Sequence, residues 1–275
     1  MARSRRPAGL PDFENPPLTE VALSIQFEAL SPIEFVDLGP LWRELKSRYS
    51  NVEQHPPLPP AFEIFGMPAA QTTIQFQLSA MPDVPRFWFV NDAGTEVLQI
   101  QVDRFVHNWR KVGEGEQYPR YERICRTFLS EFSRLSRMIE NRHSKVPTPN
   151  QCEVTYVNQV PMSDANTSVI QQTLAILQMP SDFPAGSPED AGMQIRFVLP
   201  GPDGGPIGRL IVQAGPALTP RGISVFQLML TVRGRPFTPD LAGARQFMDM
   251  GRNIIVKSFA ALTTERMHKV WGRRK

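Results

Sequence analysis

Glu96–Lys111 reads EVLQIQVDRFVHNWRK, and the assignment of this stretch decides the fold. Read as one long strand, its side chains alternate between two faces. Leu98, Ile100 and Val102 then share one parity. Gln99, Gln101, Asp103, Phe105, His107 and Trp109 share the other. The first set suits a core. The second mixes amides, a carboxylate, an imidazole and two aromatic rings, groups that suit recognition more than plain solvation. On this reading Asp103 and His107 stand roughly 13 Å apart along the strand, too far for a direct acid–base pair. A bulge near Phe105 would change that spacing.

Working outward, Glu20–Phe27 alternates Val21, Leu23, Ile25, Phe27 against Glu20, Ala22, Ser24, Gln26, as a half-buried strand does. Gly39–Pro40 opens a helix with Leu38, Leu41, Trp42, Leu45 and Tyr49 at helical spacing. His55–Pro60 (HPPLPP) cannot be helical and predicts an extended connection over the surface. Strands are expected at Phe62–Gly66, Thr72–Ser79 and Arg86–Val90, with a turn at Asn91–Gly94.

A long helix follows Pro119, with an apolar stripe from Tyr121 to Ile139 and several arginines off that stripe. Lys145–Asn150 is the best boundary. The second half predicts a strand over Glu153–Val160, a short helix over Val169–Gln178 and strands at Met193–Leu199, Arg209–Ala214 and Ile223–Arg233. It closes with a helix capped by Thr238, with Pro239 at its first position.

The expected organisation is a flexible arm over 1–17, a first α+β lobe over 18–146 and a second over 147–275. The order is strand, helix, antiparallel strands, helix, and then the same again. Each unit resembles the TATA-box-binding-protein-like plan, a curved sheet with helices on one face. If helices cover the apolar parity, the other parity is an open polar face. It carries Gln26, Gln75, Gln77, Gln99, Gln101, Gln159, Gln194, Gln213 and Gln227, with Arg196, Arg209 and Arg233 between them. Glutamine is a poor strand former, so its recurrence suggests an amide wall that holds the backbone of a peptide, or base edges and sugars.

Composition narrows the function. In 275 residues the formal net charge is +3, with basic runs at both ends, which permits a polyanion without demanding one. The 27 prolines punctuate the periodic segments. Cys125 and Cys152 have no metal-ligand spacing, and the histidines His55, His107, His143 and His268 are scattered. Phosphate-loop and nucleophile-elbow motifs are missing. No metal or cofactor is expected. No apolar run is long enough to span a bilayer and no secretory signal is visible, so the expectation is a cytoplasmic protein with reduced thiols.

NPPLTEV near the start, IQVDRFVHNWRK followed by YPRYE, and EVTYVNQV in the middle resemble a sporadically distributed bacterial family of about this length. Asp103, Arg104, Phe105, Asn108, Trp109 and Arg110 stand together in that pattern. The resemblance carries no activity over. Its patchy distribution implies an association with phage defence or toxin–antitoxin systems.

The sequence therefore leans towards a non-catalytic recognition protein. Its partner-binding candidates are Gln75, Gln77, Gln99, Gln101, Asp103, Arg104, Phe105, His107, Asn108, Trp109, Arg110, Gln194, Arg196, Gln213 and Gln227. The partner is protein or nucleic acid, with a homodimer open and no membrane. An enzyme of nuclease-like or hydrolytic type built on residues 103–111, and a small-molecule binder of helix-grip type, are the alternatives.

Overall fold

The computed structural model describes residues 9–30, 38–66, 84–162, 173–176, 184 and 190–274. The expected Thr72–Ser79 strand, with Gln75 and Gln77, lies outside the described residues, as does most of the Val169–Gln178 helix.

Among the described residues nine strands form one large curved antiparallel sheet with helices at one side. They are β1 (Leu18–Phe27), β2 (Asn51–His55), β3 (Arg86–Val90), β4 (Glu96–Gln101), β5 (Arg104–Arg110), β6 (Pro149–Pro161), β7 (Met193–Pro200), β8 (Pro206–Leu218) and β9 (Ser224–Gly234). Their spatial order is β2-β3-β4-β5-β1-β6-β9-β8-β7. The two first-in-half strands, β1 and β6, meet at the centre, with Leu23 opposite Val154 and Ile25 opposite Cys152.

The helices are α1 (Leu38–Leu45), α2 (Tyr121–His143), α3 (Leu241–Leu262) and the short α4 (Glu265–Val270). The stripe read from the sequence is what α2 buries: Ile124, Phe128, Phe132, Leu135 and Ile139 are each at most 2% exposed. That stripe packs on β5, and α3 packs on β6 and β9. Val21, Leu23 and Ile25 of β1, Val154 of β6 and Phe226, Leu230 and Val232 of β9 complete one continuous core.

Local chemistry corrects several expectations. Asp240, not Thr238, caps α3: its carboxylate accepts the Gly243 N–H at 2.7 Å, and the Thr238 hydroxyl in turn donates to Asp240. Gly243 is required there, because a Cβ would lie 2.3 Å from the Thr238 backbone. Phe62–Gly66 is not a strand, whereas Asn51–His55 is one, at the sheet edge. Residues 10–17 are not a free arm. Leu10 and Phe13 are buried, and Glu14 and Asn15 donate backbone hydrogen bonds to Gly272 and Trp271 at 3.0 Å.

The largest correction concerns 96–111. The chain reverses at Val102–Asp103, with Gln101 paired to Arg104 and Ile100 to Phe105. A two-residue turn inverts the parity, since cross-strand partners share a face. Phe105, His107 and Trp109 therefore lie with Leu98 and Ile100 on the helix face. Arg104, Asn108 and Arg110 lie with Gln99 and Gln101 on the other.

Candidate functional site

The face turned away from the helices is polar and layered. Across it the register aligns Gln99 with Val106, Gln101 with Arg104, Arg104 with Gln26, Glu153 with Arg233, and Arg233 with Arg209. Several of these side chains are buried: Gln26 is 5% exposed and Gln101 2%. What covers them is the chain itself. Residues 56–66 run from β2 across this face as a strap, crossing the strands.

Proline has no N–H, so Leu58 and Ala61 are the only residues of 56–61 with a backbone donor. Both donors are taken by glutamines. Leu58 N–H donates to Gln101 Oε1 at 2.9 Å, and Gln101 Nε2 donates back to Leu58 O at 2.9 Å. Ala61 N–H donates to Gln26 Oε1 at 2.9 Å, and Gln26 Nε2 donates to Ala61 O at 2.8 Å. Each carboxamide reads one residue's N–H and C=O together, as a neighbouring strand would. Between them Arg104 donates to Pro59 O at 2.9 Å and also to Gln26 Oε1.

The spacing has a geometric cause. A polyproline II segment advances about 9 Å in three residues. Gln101 of β4 and Gln26 of β1 are two strands apart, about 9.5 Å. A proline-rich chain laid across the strands thus brings every third residue over a glutamine.

Further along, Glu63 meets Arg209, and Arg233 at 3.5 Å; Arg233 also pairs with Glu153. Arg209 donates to Ile64 O at 2.7 Å and lies over the Phe65 ring at 4.4 Å. The Glu63 side chain is 6% exposed. A buried charge needs such pairing to be tolerated.

The other candidates distribute as follows. Gln99 donates to Asn108 Oδ1 at 2.7 Å and accepts from Arg86 at 2.9 Å, and Asn108 donates to Glu20. Burial raises the Glu20 pKa above the usual carboxylate range, with the Asn108 hydrogen bond and Arg110 opposing it. Asp103 sits in the turn and accepts from Gln101 at 2.6 Å. Arg110 donates to Gly94 O at 2.6 Å. In the second half Gln213 pairs with Gln194 at 3.2 Å and Gln227 with Gln159 at 3.1 Å, while Arg196 and Gln194 are exposed on β7.

On the helix face, Phe105 packs among Phe128 and Phe132, and Trp109 against Tyr118. His107, 1% exposed, joins a cluster the sequence did not reveal. Its Nδ1 is 2.8 Å from Glu131, which also accepts from the Tyr49 hydroxyl at 2.6 Å. Burial, and then Glu131, push the Tyr49 pKa well up, so it stays a donor. The signal in the sequence was Glu131 itself, an acid standing between Phe128 and Phe132 on an apolar stripe. The cluster orients an imidazole but shields it from any substrate. Both thiols are buried as well, pushed up to about 11 at Cys125 and about 12 at Cys152, so neither is a thiolate at neutral pH.

No family model matches the chain, and neither does any curated protein. Among solved structures it is similar to the di-domain ARO/CYC StfQ from the steffimycin biosynthetic pathway. The identity is 12%, covering 88% of this chain and 98% of that one, with a TM-score of 0.18. No helix among the described residues is long and apolar enough to cross a membrane.

Proposed function

We propose that this is a non-catalytic recognition protein that holds an extended, proline-rich polypeptide across the polar face of its sheet, with residues 57–65 acting as a built-in occupant of that groove. The observation that carries the reading is the reciprocal pairing of Gln101 with Leu58 and of Gln26 with Ala61. Side-chain amides that satisfy a backbone from the side form a general peptide reader, independent of the peptide's own side chains.

Protein is favoured over nucleic acid as the partner. Arg209 and Arg233 are matched by Glu63 and Glu153, and Arg104, though still charged, is only 9% exposed beneath the strap, so little positive charge is open to a phosphate backbone on this face. Tandem strand–helix–strands–helix units on the TATA-box-binding-protein-like plan are part of this reading. In support, each half places its first strand beside its own last one, β1 beside β5 and β6 beside β9. A defence or toxin–antitoxin setting draws no support from the geometry.

The test uses the full chain with Leu58→Pro, Ala61→Pro and Glu63→Ala, which together loosen the strap. A fluorescent peptide of residues 55–66 is titrated in trans. Saturable binding, with at most the shallow salt dependence of the Glu63 ion pairs and abolished by adding Gln26→Ala and Gln101→Ala, is the expected result. Failure of the peptide to bind this folded variant sinks the reading. So does retention of an oligonucleotide with steep salt dependence.

A further inference from the structure

On the helix side, a cavity of about 490 Å³ opens between the start of α2, strand β6 and helix α3. It adjoins a smaller apolar chamber of about 70 Å³, and Tyr118, Tyr156, Arg120, Asp12 and Val256 line both. The two compartments differ in chemistry. The larger is faced by Arg120, Arg252, Arg274, Asp12 and Glu122. The smaller ends on Phe13, Leu18, Ile255 and Phe259.

Three independent features mark the polar compartment. Arg252 is 6% exposed; one terminal nitrogen donates to Glu122 at 3.0 Å, yet its Nε has no partner among the described residues. An unmatched guanidinium nitrogen at that depth is costly. Next, the Tyr118 and Tyr156 hydroxyls face each other at 3.0 Å. In such a pair one phenol donates to the other, which leaves one O–H with no acceptor inside the pair. Burial holds both pKa values well above the ordinary phenol range, so both hydroxyls remain protonated. Finally, α2 begins here with Arg120 as N-cap at φ 74° and ψ 147°, a backbone region that disfavours side chains. It supplies no side-chain acceptor for the first turn, whose N–H groups favour an anion.

We propose that this cavity binds a small amphiphilic carboxylate. Its head is held by Arg252 and the Tyr118–Tyr156 pair at the start of α2, and its apolar body lies towards Phe13, Ile255 and Phe259. The lining is close to neutral, since Arg120 pairs with Asp12, Arg252 with Glu122 and Arg274 with Glu14, so the carboxylate is held by directed donors, the Arg252 guanidinium and the spare phenol O–H, and not by a surplus of positive charge. The site lies on the opposite side of the sheet from the strap, so the fate of either reading leaves the other standing.

The probe is 4-phenylbutyrate, titrated calorimetrically into the full-length protein, with 4-phenylbutyramide as its uncharged counterpart. The carboxylate is expected to bind at least about tenfold more tightly than the amide, the scale of a charge-assisted hydrogen bond. Tyr118→Phe combined with Tyr156→Phe keeps the cavity's shape and removes the spare donor. It should weaken the carboxylate about tenfold and the amide, whose carbonyl accepts a weaker neutral hydrogen bond, by less. Arg252→Gln should act in the same direction, with a thermal melt confirming that each variant is folded. Equal affinity for acid and amide, no saturable binding by folded wild type at millimolar probe, or binding indifferent to both sets of substitutions would each overturn the proposal.

Discussion

At the scale of single residues, hydrogen-bond chemistry fixes a state that the sequence leaves open, and His268 is the clearest case. Its Nδ1 lies 2.9 Å from Arg273, which can only donate, so Nδ1 must be the unprotonated acceptor. The tautomer follows: Nε2–H donates to the Thr263 hydroxyl at 2.8 Å, which donates to Phe259 O at 2.7 Å. Charging the ring would place a second cation beside Arg273. Burial first, and then Arg273, lower the His268 pKa below the ordinary value, with Glu265 acting the other way. In the unfolded chain the imidazole titrates near 6.5. Below that pH the unfolded state binds the proton more readily, so stability falls as the pH drops through about 6.5 and below, and this contribution is flat above it. Melting temperature should hold level above about pH 6.5 and decline from there to about pH 5.5. His268→Gln should be less stable at the upper end and show a shallower decline. An unchanged slope in that variant would exclude His268 as the source. The same logic limits what could be read at His107. Its place beside Glu131 and Tyr49 joins residues 24 and 58 positions distant in sequence, and no local pattern marks such a meeting.

At the scale of elements, periodicity served wherever one face of a segment is buried. Helix α2 carries its burial in its spacing, and so does the apolar parity of β1, with Val21, Leu23, Ile25 and Phe27 all buried. Periodicity misled where the decisive feature is a two-residue turn marked by a lone aspartate. Val102–Asp103 contains no glycine or asparagine, so β4 and β5 read as one strand and the parity of every residue after Asp103 was inverted. It also failed at β2, whose NVEQH is almost wholly exposed and has no apolar face to betray it. The prolines of 56–60 were legible as an extended segment, and the glutamines as a polar row. Their meeting depends on folded strand spacing and was not legible. The strap makes its own prediction. Leu58 and Ala61 amides should exchange slowly with deuterium, since glutamine oxygens hold both. Gln101→Ala should accelerate exchange at Leu58 and Gln26→Ala at Ala61, each about fivefold for one neutral hydrogen bond. Rates indifferent to these substitutions would mean that the strap is not held by its amides.

At the scale of the whole molecule, the two halves are joined in three separate ways. Strand β1 pairs with β6 along its whole length, from Leu18 to Phe27. The strap starts in the first half and ends on Arg209 and Arg233 of the second. The segment before β1 packs on the end of the chain, with Phe13 against Phe259 and Trp271, and Arg274 N–H donating to Asp12 O at 2.8 Å. Separating the halves would bare the β1 and β6 edges together with Val21, Leu23, Ile25 and Val154, each of which is fully buried. An exposed apolar strand edge is an aggregation site and not a domain boundary. The halves should therefore unfold in one cooperative step. Tryptophans report on both sides of the junction, Trp42, Trp88 and Trp109 in the first half and Trp271 in the second. Variants retaining only Trp109 or only Trp271 should give coincident denaturation midpoints, matching that from circular dichroism. Two resolved midpoints, with the Trp271 signal lost separately from the Trp109 signal, would show that the central strand pair is not strong enough to couple the halves. Peptides 18–146 and 147–275 expressed apart should then fold alone, where the single-core structure expects neither to do so.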